Sequence, residues 1–263
     1  MRNKNFIYMV IFAIIVIVIA EMIGAKFIPI GQIKVALLPL AFALLICMIL
    51  GLQIFRKGIL TKIYSKENVE FAGKYLIIIM LPLMARYGAD IAPKIKEILS
   101  IGFVFMSQEI GNLGTVVLGL PVAIFLGLRR EAIGATLGIG REGELAYITE
   151  KYTLNSPEGE GVLGMYIFGT LFGALFFSVV APLFEGIGLR PEALAMASGM
   201  GSASMMAAAS SALSVANPQM EETIRAYAAT SQLLTSFFGT FTMVLLAAPL
   251  QKFMYKKLTR GDK

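Results

Sequence analysis

The chain has 263 residues, of which 57% are hydrophobic and 15% charged, and its mean hydropathy is +0.76. A soluble domain carries about 25% charged residues, so the composition excludes an ordinary soluble protein and indicates an integral membrane protein. The net charge of +6 lies mostly in loops and near the C-terminus, as the positive-inside rule requires, so nucleic acid is not an expected partner. The chain has no histidine and one cysteine; we expect no metal, no cofactor and no internal disulfide.

Hydropathy predicts an all-α, polytopic helical membrane protein with about eight transmembrane segments, at about 20 residues per crossing. The expected spans are 6–20, 35–55, 71–91, 101–128, 131–152, 162–184, 192–216 and 223–250. The first is predicted to be an uncleaved span rather than a signal peptide, because Glu21 follows it directly and no A-x-A site does. Basic loops after the second, fourth and eighth spans fall on one side of this topology, which places both termini in the cytoplasm.

The third span carries two charges of opposite sign. Arg86 and Asp90 are four residues apart, so they share a helix face and are expected to form an ion pair. A structural pair is the first interpretation, and a role in a site is the alternative.

Three glycine-rich polar interruptions fall near the middle of predicted spans. They cover residues 107–115, 138–144 and 199–204. Broken backbone is not viable against lipid, but it is tolerated where it lines a cavity in the protein. The three interruptions therefore predict the walls of a solute site.

The first two interruptions place four charged residues near span centres, namely Glu109, Arg141, Glu142 and Glu144. Each costs at least about 2.5 kcal/mol in a membrane if it is left alone, so each must pair, face water or be neutral. Arg141 can reach Glu144 at i+3 on a helix. Polar residues at three- and four-residue spacings share one face of the first interruption: Gln108, Glu109, Asn112 and Thr115. The alternative interpretation is a polar clamp between helices, which needs no substrate.

The third interruption sets Ser202 and Ser204 beside Gly199 and Gly201. A helix break there would expose N–H groups that bind an anion at a half-helix start. The predicted substrate-binding residues are Gln108, Asn112, Thr115, Arg141, Ser202 and Ser204. The predicted ion-coupling residues are Glu109, Glu142 and Glu144.

Two parts of the chain differ in whether their predicted spans are interrupted near the centre. Residues 1–96 contain no central break and are predicted to form a scaffold, whereas residues 97–263 form a transport-like unit. Within that unit, 131–184 and 192–250 are predicted to be two copies of a weak internal repeat. Both copies have a Gly-x-Gly pair, a later proline, a Gly-Thr pair and a final Ala-Pro-Leu, and such repeats are typical of secondary transporters.

These features predict a secondary active transporter with an alternating-access, elevator-like mechanism. The expected solute is a small organic anion or amino acid, because the Arg141 guanidinium stays charged and half-helix starts add partial positive charge. Burial favours the neutral form of Glu109 and Glu142, which permits proton coupling; sodium coupling is equally open. We expect a homodimer in contact with membrane lipid, and no enzyme activity, because the chain has no histidine and no nucleophile pair. An ion channel or a holin-like membrane protein is the alternative.

Several short segments of the sequence resemble those of a bacterial inner-membrane family of unknown function. They are 109–115, Leu120-Pro121, 128–136, Arg141-Glu142, 150–152, 156–159 and 201–208. This resemblance implies a fold family in the bacterial inner membrane and no particular substrate. The chain is more loosely similar to LrgB-type small-carboxylate carriers in its order of broken and glycine-rich segments, which implies small-carboxylate transport. It lacks their Lys-Ser-Val-Thr-Thr-Pro run and their histidine.

Overall fold

The computed structural model describes residues 4–30, 33–37, 39–138 and 142–259, and they form a helical protein with one small β-hairpin. The first part contains five helices and both strands of the hairpin: α1 (Lys4–Ile23), β1 (Lys26–Ile30), β2 (Ile33–Leu37), α2 (Pro39–Gly51), α3 (Ile59–Ile63), α4 (Lys66–Ile91) and α5 (Ile95–Ser100). A 3₁₀ turn at Ala92–Lys94 joins α4 to α5.

The remaining residues form ten helices. They are α6 (Gly102–Gly111), α7 (Leu120–Phe125), α8 (Glu131–Thr136), α9 (Glu142–Tyr152), α10 (Pro157–Phe168), α11 (Ala174–Gly186), α12 (Pro191–Ser198), α13 (Ala203–Ala216), α14 (Glu221–Thr242) and α15 (Ala248–Leu258). Three π-helical turns, Thr115–Gly119, Gly169–Gly173 and Met243–Ala247, lead directly into α7, α11 and α15. A 3₁₀ turn at Pro218–Met220 precedes α14.

Three helical segments are long and apolar enough to cross a membrane. They are Phe6–Ile23, Gly102–Phe125 and the 41 residues of Pro218–Leu258, called the C-terminal helical segment below. Shorter apolar helices occur at Pro39–Gly51, Ala174–Gly186 and Ala203–Ala216. The helical membrane protein expected from composition is therefore confirmed, whereas eight spans and both termini in the cytoplasm stay predictions.

The predicted second span, 35–55, begins in the wrong place. Its first residues belong to β2, which pairs antiparallel with β1 so that Ile28 faces Val35 and Ile30 faces Ile33. Those four side chains are β-branched and favour extended backbone, which an apolar average does not reveal. The helix that follows, α2, has 13 residues, or about 20 Å at 1.5 Å per residue.

The predicted ion pair of the third span is confirmed. Arg86 Nε lies 3.1 Å from Asp90 Oδ1, with the Arg86 side chain 57% exposed. Their helix, α4, begins after Ser65, whose side chain accepts a hydrogen bond from the Asn68 N–H. The Ser65 oxygen thereby satisfies one of the N–H groups that a helix start leaves without a partner.

A second, longer-range ion pair ties α10 to the loop before α8. Arg130 donates to both carboxylate oxygens of Glu158, from Nε at 2.9 Å and Nη2 at 3.1 Å. The Glu158 side chain is only 2% exposed, and its hydrogen bond and negative charge raise the pKa of the Arg130 guanidinium. Such a two-point contact fixes geometry as well as charge.

The main core lies between α6, α12, α13 and α14. Its buried members include Phe105, Leu213 and Ile224, together with many alanines. Small residues let helix backbones approach closely, which is how helices associate in a membrane. At the closest point, directly after α12, a Cβ on Gly199 would lie 2.5 Å from the Ser231 Cβ and 2.6 Å from the Ala228 carbonyl oxygen on α14.

Candidate functional site

Helices end and restart at the second and third polar interruptions, and the helical hydrogen-bond pattern changes at the first, within the continuous segment Gly102–Phe125. In the first, α6 ends at Gly111 and the π turn starts at Thr115; in the third, α12 ends at Ser198 and α13 starts at Ala203. In the second, α8 ends at Thr136 and α9 starts at Glu142. Predicted site residue Arg141 lies outside the described residues, and of Glu142 only its place at the start of α9 is described.

The first interruption places a carboxylate in the interior. Glu109 is 7% exposed. Its Oε1 accepts a hydrogen bond from the Thr235 hydroxyl at 2.5 Å, and its Oε2 accepts one from Asn112 Nδ2 at 2.7 Å. In the part of the chain that the structure describes, no lysine or arginine pairs with this carboxylate. The two groups that donate hydrogen bonds to it, a hydroxyl and an amide, are both neutral.

Gln108 links the first interruption to the helices around the third. The Ser231 hydroxyl lies 3.0 Å from Gln108 Oε1 and 2.6 Å from the Met196 carbonyl oxygen. Gln108 Nε2 is buried and has no hydrogen-bond partner among the described residues. Because buried amide groups are nearly always bonded, this N–H is a donor available to a ligand. Gln108, Glu109, Asn112, Ser231 and Thr235 are called the central polar cluster below.

The third interruption is held by its own serine and by α14. Ser202 accepts from the Met205 N–H at 3.3 Å and so caps α13, and its hydroxyl lies 3.1 Å from that of exposed Ser204. On the other side, the Gln232 side-chain amide faces the carbonyl oxygens of Gly199 and Gly201; with its nitrogen turned toward them, as these acceptors require, it donates to both at 3.3 Å. Neither serine hydrogen-bonds to Gln108 or Glu109, so the structure does not bring these two predicted site residues into the central polar cluster.

The second interruption meets the first at a small cavity. This inner cavity has a volume of about 20 Å³ and is lined by Asn112, Thr115, Gly138, Glu144, Thr242 and four apolar or glycine residues. Glu144 is 7% exposed. A cavity needs about 10–15 Å³ to hold one water molecule, so this one accommodates a water or a bare ion and no larger solute.

The C-terminal helical segment contacts all three interruptions, and this role was not predicted. Thr235 bonds Glu109 at the first and Gln232 bonds Gly199 and Gly201 at the third. At the second, Thr242 lines the inner cavity together with Gly138 and Glu144. Just before it, Gln251 Nε2 donates to the Ile133 carbonyl oxygen of α8 at 2.8 Å and to the Thr136 hydroxyl at 3.0 Å. Polar or small residues at positions 231, 235, 239 and 242 form one helix face, and that spacing was the available signal.

Comparison with known proteins identifies a family and no individual relative. No curated protein and no solved structure matches the chain, so the resemblance to LrgB-type carriers and a bacterial origin stay predictions. One family, described as "Protein of unknown function (DUF3100)", matches residues 18–257. Because this match covers most of the chain, the protein belongs to the DUF3100 family.

Proposed function

We propose that this protein is a secondary active transporter for a small organic anion or amino acid, coupled to protons or sodium, with an elevator-like alternating-access mechanism. The observation that carries the proposal is the Glu109 carboxylate, which is 7% exposed and, among the described residues, accepts hydrogen bonds from the neutral groups of Thr235 and Asn112. It lies where broken helices meet, which is where transporters of many folds bind their solutes and ions.

The coupling follows from the charge of this cluster. A carboxylate removed from water without a cationic neighbour is compensated by a bound proton or a bound cation. Two further oxygens are close by, because the Thr115 hydroxyl donates to the Asn112 carbonyl at 3.0 Å and both residues line the inner cavity. Carbonyl, hydroxyl and carboxylate oxygens suit a hard cation such as sodium, so the cluster supports either ion.

The solute is recognised by hydrogen-bond donors and by positive charge. Gln108 Nε2 is one, since it is buried and has no partner among the described residues. The start of α13 behind Ser202 contributes partial positive charge, and Arg141 is proposed to supply a full one. Together they favour an anionic group on the solute. The inner cavity is too small for that solute, so binding requires a conformation in which the three interruptions separate.

An elevator-like movement needs a unit that moves and one that stays. The order of elements supports a repeat inside 97–263: 131–184 and 192–250 each contain a short helix, an interruption, a second helix and a longer helix with a π turn. We assign the static part to 1–96. We further propose a homodimer through this part, in the bacterial inner membrane with both termini inside. A monomer in native nanodiscs that still transports would contradict the dimer.

Uptake into liposomes tests the function. Purified protein is first screened for solutes that raise its melting temperature, and the hits are then offered as labelled solutes under imposed proton or sodium gradients. Glu109→Gln is expected to abolish the dependence on the ion gradient, whereas the matched change at exposed Glu150 (Glu150→Gln) leaves it intact. Arg141→Gln is expected to abolish uptake of anionic solutes.

The same assay separates the alternatives. Saturable, gradient-driven uptake supports a carrier. Unsaturable flux at channel rates without coupling would identify a pore, and neither flux nor solute binding would identify a holin-like or scaffold protein. If Glu109→Gln and Arg141→Gln both transport normally, the central polar cluster is a packing clamp and the proposed site is wrong.

A further inference from the structure

A pocket of about 590 Å³ opens at one end of the helical bundle. Its walls come from the last turn of α1, the start of α2, residues 207–215 of α13, the 3₁₀ turn before α14 and the start of α14. Small-molecule sites commonly enclose about 300–1,000 Å³, so this end pocket has room for a metabolite. None of the five residues of the central polar cluster lines it, so the two sites are separate.

The charged groups of the end pocket leave one carboxylate in excess. Arg225 Nη2 pairs with Glu221 Oε1 at 2.6 Å. Glu21, which also lines the pocket, pairs with no lysine or arginine in the described part of the chain. The charged side chains that line the pocket, two carboxylates and one guanidinium, sum to one negative charge among the described residues, which repels a simple anion and attracts an ammonium group.

A second feature independently indicates a ligand. Ser214 is 5% exposed and lines the pocket, and its hydroxyl has no hydrogen-bond partner among the described residues. Leaving a buried hydroxyl unbonded is costly, and buried polar groups without a partner are rare. The Ser214 oxygen itself is enclosed in this conformation, so a polar group on a bound molecule supplies the missing partner once the side chain rotates about its Cα–Cβ bond toward the pocket.

The remaining wall is apolar. Leu40, Val215 and Pro218 face the pocket and offer a surface that an aliphatic side chain covers. Arg225 has five N–H donors, so it can hold a ligand carboxylate while it keeps its bond to Glu221. The chemistry therefore matches an ammonium group, a carboxylate and an aliphatic side chain on one small molecule.

We propose that the end pocket binds a neutral amino acid with an aliphatic side chain. Its ammonium group lies at Glu21, its carboxylate reaches Arg225, and one of its polar atoms hydrogen-bonds to Ser214. That this pocket loads the transport path rests on the proposed function, whereas binding in the pocket does not.

Calorimetric titration of the full protein in nanodiscs tests the proposal with three matched probes. They are L-leucine, 4-methylpentanoate, which lacks the ammonium group, and 3-methylbutylamine, which lacks the carboxylate. Leucine is expected to bind at least about tenfold tighter than either analogue, because each analogue leaves a charged group in the pocket unmatched. Equal affinities for all three, or no binding of leucine, would overturn the proposal.

Variants then locate the site. Glu21→Gln is expected to weaken leucine binding by about tenfold, with Glu150→Gln as the matched control that leaves it unchanged. Ser214→Ala is expected to weaken binding about fivefold and to leave the melting temperature of the ligand-free protein equal or higher, since it removes an unbonded polar group. A merely structural serine would lower that temperature and leave the affinity unchanged, which counts against the proposal.

Uptake measurements separate this proposal from the transport function. Leucine binding that depends on Glu21 and Ser214, without any leucine uptake in liposomes, supports the end pocket and contradicts transport of leucine. Gradient-driven leucine uptake with unchanged affinity in Glu21→Gln and Ser214→Ala would leave the transporter in place and overturn the end pocket.

Discussion

Helix α1 and helix α14 both belong to segments apolar enough to cross a membrane, yet they present opposite faces to the protein. In α1, large side chains such as Ile7 and Ile14 are more than half exposed, and among its described side chains only Val16 and Ala20 are buried. In α14, the buried residues other than Ile224 and Tyr227 are small or polar, as at Ser231 and Thr235, while several large side chains face outward. The exposed ones are Leu233, Phe237 and Phe241.

This difference shows what apolar content does and does not indicate in a membrane protein. Lipid is as apolar as leucine, so a large aliphatic side chain gains nothing by turning inward. Polar side chains are costly against lipid and turn toward other helices or a cavity. Hydropathy therefore finds both helices, and the stripe of small and polar residues identifies which one carries the site.

The largest loss of stability is expected at Gly199, where the chain approaches α14 most closely. Gly199→Ala would place a Cβ 2.5 Å from the Ser231 side chain and 2.6 Å from the Ala228 carbonyl oxygen. Because that oxygen belongs to the backbone of α14 and cannot turn aside, α12 must move away from α14. We expect unfolding of the detergent-solubilised protein to become easier by about 3 kcal/mol. Gly164→Ala is the control, since no described atom lies within 4 Å of its added Cβ. Equal stability of the two variants would show that the α12–α14 contact is loose.

The next largest loss of stability is expected at α8, directly before the second interruption. Gln251→Leu removes the donor to the Ile133 carbonyl and the Thr136 hydroxyl and leaves these buried acceptors without it, at a cost of about 2 kcal/mol. The same change at exposed Gln219 serves as its control and is expected to be neutral. Thermal unfolding measures both. A neutral Gln251→Leu would mean that α15 does not stabilise this interruption.

A smaller effect is expected at Thr235. Thr235→Val keeps the shape of the side chain and removes the hydrogen bond to Glu109, which should cost about 1.5 kcal/mol and alter the ion dependence of uptake. Thr240→Val, at an exposed position on the same helix, should change neither. Unchanged ion dependence in Thr235→Val, with stability lowered as expected, would assign this bond to packing alone.

The smallest effect is expected on α1. Ile14 is 55% exposed, so Ile14→Ala should lower the stability by less than about 0.5 kcal/mol. Val16 is 3% exposed, and Val16→Ala should cost about 1 kcal/mol because it leaves a small void. Denaturant titration in mixed micelles resolves the two. A large loss for Ile14→Ala would indicate that another protein surface, such as a second copy, covers this face.

Sequence patterns located the membrane character, the helical class and the helix ends near the three interruptions, because glycine and charged residues in an apolar segment have strong local effects. The Arg86–Asp90 pair was also predicted, since both members lie on one helix. The β1–β2 hairpin was missed because averaging over a span-sized window hides a short run of β-branched residues.

The partners in the candidate site were harder to predict. Glu109 bonds Thr235 across 126 positions of the chain, and no local periodicity specifies such a contact. The serines of the third interruption show a local contact that the sequence does allow one to expect. The Ser202 side chain accepts from the Met205 N–H, which is the ordinary role of a serine at a helix start, and its binding of solute stays a prediction.

The length of the C-terminal helical segment constrains how it sits in a bilayer. Its 41 residues span about 60 Å at 1.5 Å per residue, about twice the thickness of a hydrocarbon core. Such an excess requires inclination or ends that project past the headgroups, and charged residues, Glu221 at one end and Lys256 and Lys257 at the other, suit that position. An inclined rod crosses its neighbours at a succession of depths. A single helical segment can thereby contact three separate interruptions, and any change of its inclination would reach all three together.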